Sequence, residues 1–422
     1  MLRHRGHVAR LYPTTVQASK LDGQAHTARA LWNLLHEWHT WGDGGRSARR
    51  PSKAEMDRQI REARTHPLRG YEWLATLPAQ STQQVLKEYL RALDRFFRGS
   101  AGRPRFKQRS RSMAVDNPQA SDLRIVRLNR RWGEVTVQGV GRVRFRWTRP
   151  LPGVSGSPGR ITGARLVKDA LGWHIVFRIE EPMSEVVPSP GPPIGVDRGV
   201  AHTMALSNGR NLDMPKLLTS GERRRLRRLE LQAARRREAR RRTPGAPVSN
   251  RERLAYKQIA LLRSRQARRR EDWLHNQTTD LAKNHSLVVL EDLRIQNMTR
   301  SARGTLKSPG RNVKAKAGLN RSILSMAWGR ANRMLDYKCL LSGGELLKVP
   351  AAFSSQTCAV CGRVAHNSRP SRDWFQCVGC GHRAPADTNA AQVLLRRGLA
   401  ARSGTAPGHG VAGRGVLPMS GR

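Results

Sequence analysis

The chain has 422 residues, with 78 Lys+Arg against 31 Asp+Glu and a formal net charge of +47. Its length calls for more than one core, and self-repulsion of this size argues against a compact protein without a polyanionic partner, nucleic acid foremost, since phosphate contact releases counterions. No run approaches the roughly 18 apolar residues of a membrane span, and residues 1–13 lack the apolar core of a secretory leader, so no membrane partner and a cytoplasmic, nucleoid-associated location are expected.

A short strand opens residues 1–18, and helical patterning follows to about residue 100. In residues 79–97 the apolar Leu86, Leu90, Leu93 and Phe97 recur at helical spacing, behind a start marked by Pro78. The polar flank of that start carries Gln80, Ser81, Gln83 and Gln84. A basic loop comes next, in which Arg103, Arg105 and Lys107 can neutralise phosphates and Phe106 can stack on a base. From about 120 to 182 the period is two. Val143, Phe145 and Trp147 alternate with Arg142, Arg144 and Arg146, and Trp173, Ile175, Phe177 and Ile179 alternate again. This predicts a small sheet or barrel with one buried face and one arginine-bearing face. Residues 187–193 hold four prolines and mark a linker.

Beyond the linker, residues 194–197 and 201–206 read as short buried strands, with Ser207-Asn208-Gly209 as a hairpin turn. Residues 216–242 form an intensely basic helix with a thin stripe of Leu226, Leu229 and Leu231. A second helix runs to about residue 285, with Leu254, Ile259, Leu262 and Trp273 as candidate core. Residues 287–290 are a buried strand, 300–317 a basic loop, 318–342 a helix and 346–349 a strand. The Gly- and Arg-rich residues 401–422 have the composition of a disordered tail.

Four of the five cysteines form Cys358-x-x-Cys361, fifteen intervening residues, then Cys377-x-x-Cys380. That spacing fits a four-cysteine zinc ribbon, structural because four thiolates leave no open position. His366 and His382 are not needed as ligands, and Cys339 reads as a small buried hydrophobe.

Three acids stand where chemistry would want them. Asp197 ends one strand, Glu291 ends another, and Asp387 opens a helix just after the cysteines. In a chain poor in acids and built to hold polyanions, such carboxylates suit cations, and two Mg2+ ions held by three carboxylates hydrolyse phosphodiesters. Gly195-Val196-Asp197-Arg198-Gly199-Val200, Val288-Val289-Leu290-Glu291-Asp292-Leu293 and Asp387-Thr388-Asn389-Ala390-Ala391 resemble the three motifs of a RuvC nuclease site. Their order, with a ribbon before the last acid, resembles the TnpB family of transposon-encoded nucleases and the related type V CRISPR effectors. Residues 77–81, 96–99, 104–107, 269–275 and 316–321 extend the resemblance over nearly the whole chain.

The resemblance implies an α+β multidomain architecture. An N-terminal wedge-like β-barrel (1–18 and 113–185) would carry an inserted helical recognition lobe (19–112). A linker (186–193) would lead to a C-terminal RNase H-like RuvC α/β domain (194–351 and 386–400) with an inserted zinc ribbon (352–385). It implies an RNA-guided DNA endonuclease, with Asp197, Glu291 and Asp387 holding Mg2+ and Asn389 supporting Asp387. Glu291, not Asp292, matches the motif, and adjacent strand residues point to opposite faces. Ala386 departs from a family that often has a basic residue before the third acid. The implied partners are a structured guide RNA from the chain's own locus and target double-stranded DNA, base pairing supplying specificity. Gln80, Ser81 and Gln84 would read a short flanking duplex motif through base edges. The competing readings are a compact type V CRISPR effector, an RNA-guided DNA-binding regulator without cleavage, and a plain zinc-ribbon DNA-binding protein, which leaves the three acids unexplained.

Overall fold

The structure, a computed structural model, describes residues 2–41, 51–65, 70–108, 113–183 and 187–404. The expected tail beyond 404 and residue 186 of the expected linker lie outside these. Two compact units are present, residues 1–184 with 229–264, and residues 185–228 with 265–422.

In the first unit, β1 (Leu2–Tyr12), α1 (Thr15–Trp41), α2 (Lys53–Thr65) and α3 (Ala79–Phe97) precede six strands. These are β2 (Val115–Asn117), β3 (Val126–Arg127), β4 (Trp132–Val137), β5 (Gly141–Arg146), β6 (Arg160–Asp169) and β7 (Gly172–Pro182). The sheet runs β2-β6-β7-β1-β5-β4-β3. Strand β1 joins its halves, pairing with β7 from Leu2 to Arg10 and with β5 at Leu11 and Tyr12. Its edge strands β2 and β3 do not pair with each other, so the expected barrel is a curled half-barrel.

The alternation read in the sequence is the burial pattern observed. Val143, Phe145, Trp147, Trp173, Ile175, Phe177 and Ile179 are buried, while Arg142 and Arg144 are exposed. Gly139 and Gly141 turn the chain between β4 and β5 at φ of 77° and 100°, a region that side chains disfavour. The helices expected as an inserted lobe share one continuous core with the sheet, through Leu21, Leu31 and Leu35 on α1 and Leu86 and Tyr89 on α3. On α3 the buried stripe is Val85, Leu86, Tyr89 and Leu93, and Phe97 is exposed. Of the expected stripe, Leu86 and Leu93 are buried and Leu90 packs against the core, and Val85 and Tyr89 widen it.

The second unit is built on β8 (Ile194–Asp197), β9 (Met204–Leu206), β10 (Asn211–Leu212), β11 (Leu287–Glu291) and β12 (Glu345–Val349). Their order is β10-β9-β8-β11-β12, with β8, β11 and β12 parallel and β9 antiparallel to β8. Buried on both faces, β11 is a continuous apolar run before Glu291. The proline-rich segment is strapped down: Ser189 Oγ donates to the Lys283 carbonyl at 3.1 Å, and Ser286 N–H donates to the Gly191 carbonyl at 3.0 Å.

Helices α4 (Ser220–Arg241) and α5 (Asn250–Asn284) carry ion pairs such as Arg263–Glu230 at 2.7 Å and Arg269–Glu222 at 2.6 Å. Exposed pairs of this kind contribute little each. The buried apolar residues are Leu229, Ala233, Ala255, Ile259, Leu262, Leu274, Leu281 and Ala282, whereas the expected Leu231 and Leu254 are exposed. The short α6 (Ile295–Met298) follows, and the helix expected at 318–342 is two helices, α7 (Val313–Met326) and α8 (Trp328–Leu341). The break is Ala327, at φ 55°. The cysteine segment holds the hairpin of β13 (Trp374–Gln376) and β14 (Arg383–Pro385), and α9 (Ala386–Arg402) closes the unit.

Helix α9 rests on β8 at Gly195. A Cβ there would lie 2.0 Å from the Ala391 carbonyl oxygen and 2.9 Å from Leu395 Cβ. Gly195→Ala should therefore lower unfolding free energy by at least about 2 kcal/mol, the range of overpacked cores. Gly221→Ala in the first turn of α4, where a Cβ meets open space, should raise stability by up to about 1 kcal/mol. Chemical denaturation of both variants checks this, and equal midpoints would refute the tight seat of α9.

Candidate functional site

The parallel pairing of β8 and β11 runs Val288↔Ile194, Val289↔Gly195 and Leu290↔Val196, so the next residues in register are Glu291 and Asp197. Two acids thus end adjacent strands. Asp387 lies in the first turn of α9, which Gly195 seats on β8. A Cβ on Gly199, two residues after Asp197, would stand 3.9 Å from Asp387 Oδ2. Glu291 is buried at 7 % exposure, and the adjacent Asp292 is exposed.

The electrostatics show the convergence. Burial, then the charges of Glu291 and Asp387, push the Asp197 carboxyl up to about 7. Burial also raises Glu291, against the opposing pull of Arg198, a Ser354 hydroxyl at 3.3 Å, a hydrogen bond with Asp197 and the charge of Arg397. The acids are neighbours not closed into one tight shell: among the described residues, the group whose ligand atoms all lie within 4.8 Å is the four cysteines.

Arg198 is the residue that sequence reasoning passed over, although it sits inside the first quoted motif. It is 5 % exposed. Its guanidinium donates to the Glu291 carbonyl and, at 2.5 Å, to Asn332 Oδ1 on α8. A buried cation next to a strand-ending acid ties the ends of β8 and β11 to the helix behind them. The available signal was parity: the residue after an inward acid points the other way, and a basic one there needs partners.

Cys358, Cys361, Cys377 and Cys380 come together, with Sγ–Sγ distances of 3.6 Å for Cys358–Cys380 and for Cys361–Cys377. Tetrahedral thiolates around a zinc ion stand about 3.8 Å apart. Backbone N–H groups of Cys380 and Gly379 hold the Cys377 thiol down to about 6, favouring the ligating thiolate. Phe375 and Ala386 pack with Cys358 and Cys377 in a small core. The small side chain at 386 is thus part of the ribbon's interior, which accounts for the absence of a basic residue there. His366 and His382 are outside the cluster. Cys339 is buried, and burial, with Asp336 beside it, pushes its thiol up to about 11.

Asn389, expected beside Asp387, is fully buried and turned to the ribbon. It accepts from Ala359 N–H at 3.0 Å and donates to the Thr357 carbonyl at 2.8 Å. Among the candidate nucleic-acid contacts, Gln80 donates to Gln119 Oε1 at 2.6 Å, Ser81 is buried, and Gln84 is half-buried. The burial of Ser81 removes it from a surface that could read base edges; Gln83 is the exposed amide of that turn. Arg103, Arg105 and Phe106 are exposed on a loop strapped to α1, where Trp32 Nε1 donates to the Arg105 carbonyl at 3.1 Å. Lys107 lies over the Trp32 ring at 3.6 Å. Loop and helix thus present a basic, aromatic surface.

A basic α+β chain with acids gathered at strand ends and a four-cysteine ribbon beside them defines a nuclease-like protein. Residues 174–302 match the family described as "Probable transposase", and residues 328–394 match "Cas12f1-like, TNB domain". The chain is 36 % identical over 351 residues to "Putative RNA-guided DNA endonuclease InsQ" of Escherichia coli (strain K12), covering 83 % of this chain and 80 % of that one. It is 30 % identical over 397 residues to a "Putative RNA-guided DNA endonuclease" of Streptomyces pristinaespiralis, covering 93 % and 89 %. Its fold matches a chain of the Cas12f1-sgRNA-target DNA complex with a TM-score of 0.51 at 13 % identity, over 90 % of this chain and 82 % of that one. The chain belongs to the TnpB/Cas12f family of RNA-guided nuclease-like proteins.

The raised Asp197 sets a pH dependence. Its ionised form is disfavoured on folding, so the stability present below pH 3.8 is lost as pH rises towards about 7. In protein stripped of divalent cations, Asp197→Asn should be stabilising, by about 2 kcal/mol more at pH 8 than at pH 5. Denaturation of both proteins at the two pH values tests this; an equal effect at both would show that Asp197 is not held protonated.

Proposed function

We propose that the chain is an RNA-guided DNA endonuclease whose C-terminal sheet is a RuvC-like, RNase H-like nuclease fold. The sheet order β10-β9-β8-β11-β12, with β9 antiparallel among parallel neighbours, supports the fold reading. The observation that carries the activity is the meeting of Asp197, Glu291 and Asp387 at the ends of β8 and β11 and the start of α9.

The donor set fits Mg2+. It is all carboxylate, the choice of a hard cation, and mutual repulsion at Asp197 is what a divalent ion relieves. Asp197, Glu291 and Asp387 would hold it, and bound Mg2+ supplies Lewis acidity and a water of lowered pKa for phosphodiester hydrolysis. The protein's own part is positional. Arg198 fixes the Glu291 strand end to α8, and Ser354 orients the Glu291 carboxylate. The cysteine ribbon takes Zn2+ as a structural ion and fixes the start of α9.

The guide is a structured RNA from the chain's own locus, held by phosphate contacts of the arginine-rich surfaces, and the target is double-stranded DNA opened by guide pairing. The relatives' names and the identity to them over most of the chain support this reading over a regulator without cleavage, and the three acids are all present. Purified with the RNA transcribed from its locus, Asp197→Ala should bind guide and target normally and fail to cut. Normal cutting by that variant would remove Asp197 from the reaction.

Cys377→Ser should drop zinc content well below about one ion per chain and lower the melting temperature, since structural zinc supplies folding energy directly. Metal analysis that finds the same zinc in the variant would refute the ribbon assignment.

A further inference from the structure

The helix break at Ala327 opens a cavity that the nuclease reading does not use. Its volume is about 320 Å³, and it is lined by Arg270, Arg330 and Arg333 with Trp328, Ile295 and Ile323. That size is at the lower end for small-molecule sites. Every lining residue comes from one unit, on α5, α6, α7 and α8 or at the break between the last two.

Two polar groups in it are buried without hydrogen-bond partners among the described residues, the Trp328 indole N–H and the Arg270 Nε. Trp328 is 4 % exposed. Buried donors are normally satisfied, so an unmet pair in one cavity points to an acceptor that arrives from outside. Arg330 is already paired with Glu271 at 2.7 Å. The side chain of Arg333 makes neither hydrogen bond nor ion pair among the described residues, and it is exposed. The first turn of α8, 14 residues long, adds the positive end of a helix dipole. Ala327 itself is held at φ 55°, a conformation that costs a non-glycine residue energy and recurs at ligand sites.

A lining that combines arginine donors with apolar side chains and an indole suits a flat ring carrying an anionic group. We propose that this cavity binds a single unstacked nucleotide of a nucleic-acid strand. Its phosphate would meet Arg270 and Arg333, and its base would lie against Trp328, Ile295 and Ile323. Single-stranded nucleic acid is commonly held by such pairing of base stacking with cationic phosphate contacts. The proposal rests on the RNA-guided reading for the identity of the strand, guide RNA or DNA.

The full-length chain with its copurifying RNA, alone and with target DNA, is irradiated with short-wavelength ultraviolet light, and peptide–nucleotide adducts are mapped by mass spectrometry. An adduct within residues 323–333 is expected. A ribose mass assigns the nucleotide to the guide, and a deoxyribose mass assigns it to DNA. Arg333→Gln, at an exposed position, and Trp328→Phe, which keeps a buried ring but removes the donor, should each cut the adduct yield at least tenfold with melting temperature little changed. Adducts elsewhere on the chain but none within 323–333 would overturn the pocket and leave RNA guidance standing. Absence of any copurifying RNA and of any RNA adduct would overturn both.

Discussion

Helix α9 lies on the sheet at a distance that only missing side chains permit. The strand supplies one glycine, Gly195, where the helix backbone passes at the Ala391 carbonyl. The helix supplies the other, Gly398, where a Cβ would meet Val289 Cγ2 of β11 at 2.4 Å. Each glycine makes room for what its partner presents, so the helix has one seat. The position of its first turn, and of Asp387 within it, then follows from the sheet as well as from the ribbon segment that precedes it. Three acids contributed by segments far apart in sequence can meet only because this contact has no slack.

The charge balance of the whole chain does little for those acids. A net charge of +47 resides mostly on exposed side chains, where water and salt screen it. Asp197 is shielded from that field and senses its near neighbours, two of which are acids. Arg198 lies close, but its hydrogen bonds go to a backbone carbonyl and an asparagine, so it braces the strand ends more than it neutralises the carboxylates. A highly basic protein can therefore contain a locally electronegative centre, because the surface charge is spread and screened while the acids are buried side by side.

Much of this was legible in the sequence because it rests on local periodicity and spacing. The alternation at Val143, Phe145 and Trp147 became a buried face, Leu287 to Leu290 became a buried parallel strand, and two Cys-x-x-Cys pairs became one cluster. What failed depended on contacts far along the chain. Phe97 fits the apolar spacing of α3, yet burial stops at Leu93, one turn before the helix end. The alternating strands carried no sign that β2 and β3 would stay apart and leave the barrel open. Ala327 carries no breaker chemistry, and only tertiary packing holds it left-handed. Asn389 reads as a neighbour of Asp387 because they are two residues apart, but on a helix such residues do not share a face, and the amide reaches the ribbon.

That turn of Asn389 links two parts of the unit that look separable in sequence. Within three turns of α9, Asn389 bonds Thr357 and Ala359, Arg396 donates to the Ala359 and Val360 carbonyls, and Arg397 donates to those of Pro350 and Ala352. The same helix is seated on β8 and opens with the third acid. The backbone around the first cysteine pair is therefore bonded to the element that places Asp387. Small four-cysteine modules derive most of their order from the ion they hold. If the ribbon loosens, the bonds it makes to α9 at Asn389 and Arg396 loosen with it, while the contacts of the helix with Gly195 and Val289 remain. Order in the four-cysteine cluster and the placement of Asp387 are thus coupled through α9, although the two sites share no residue.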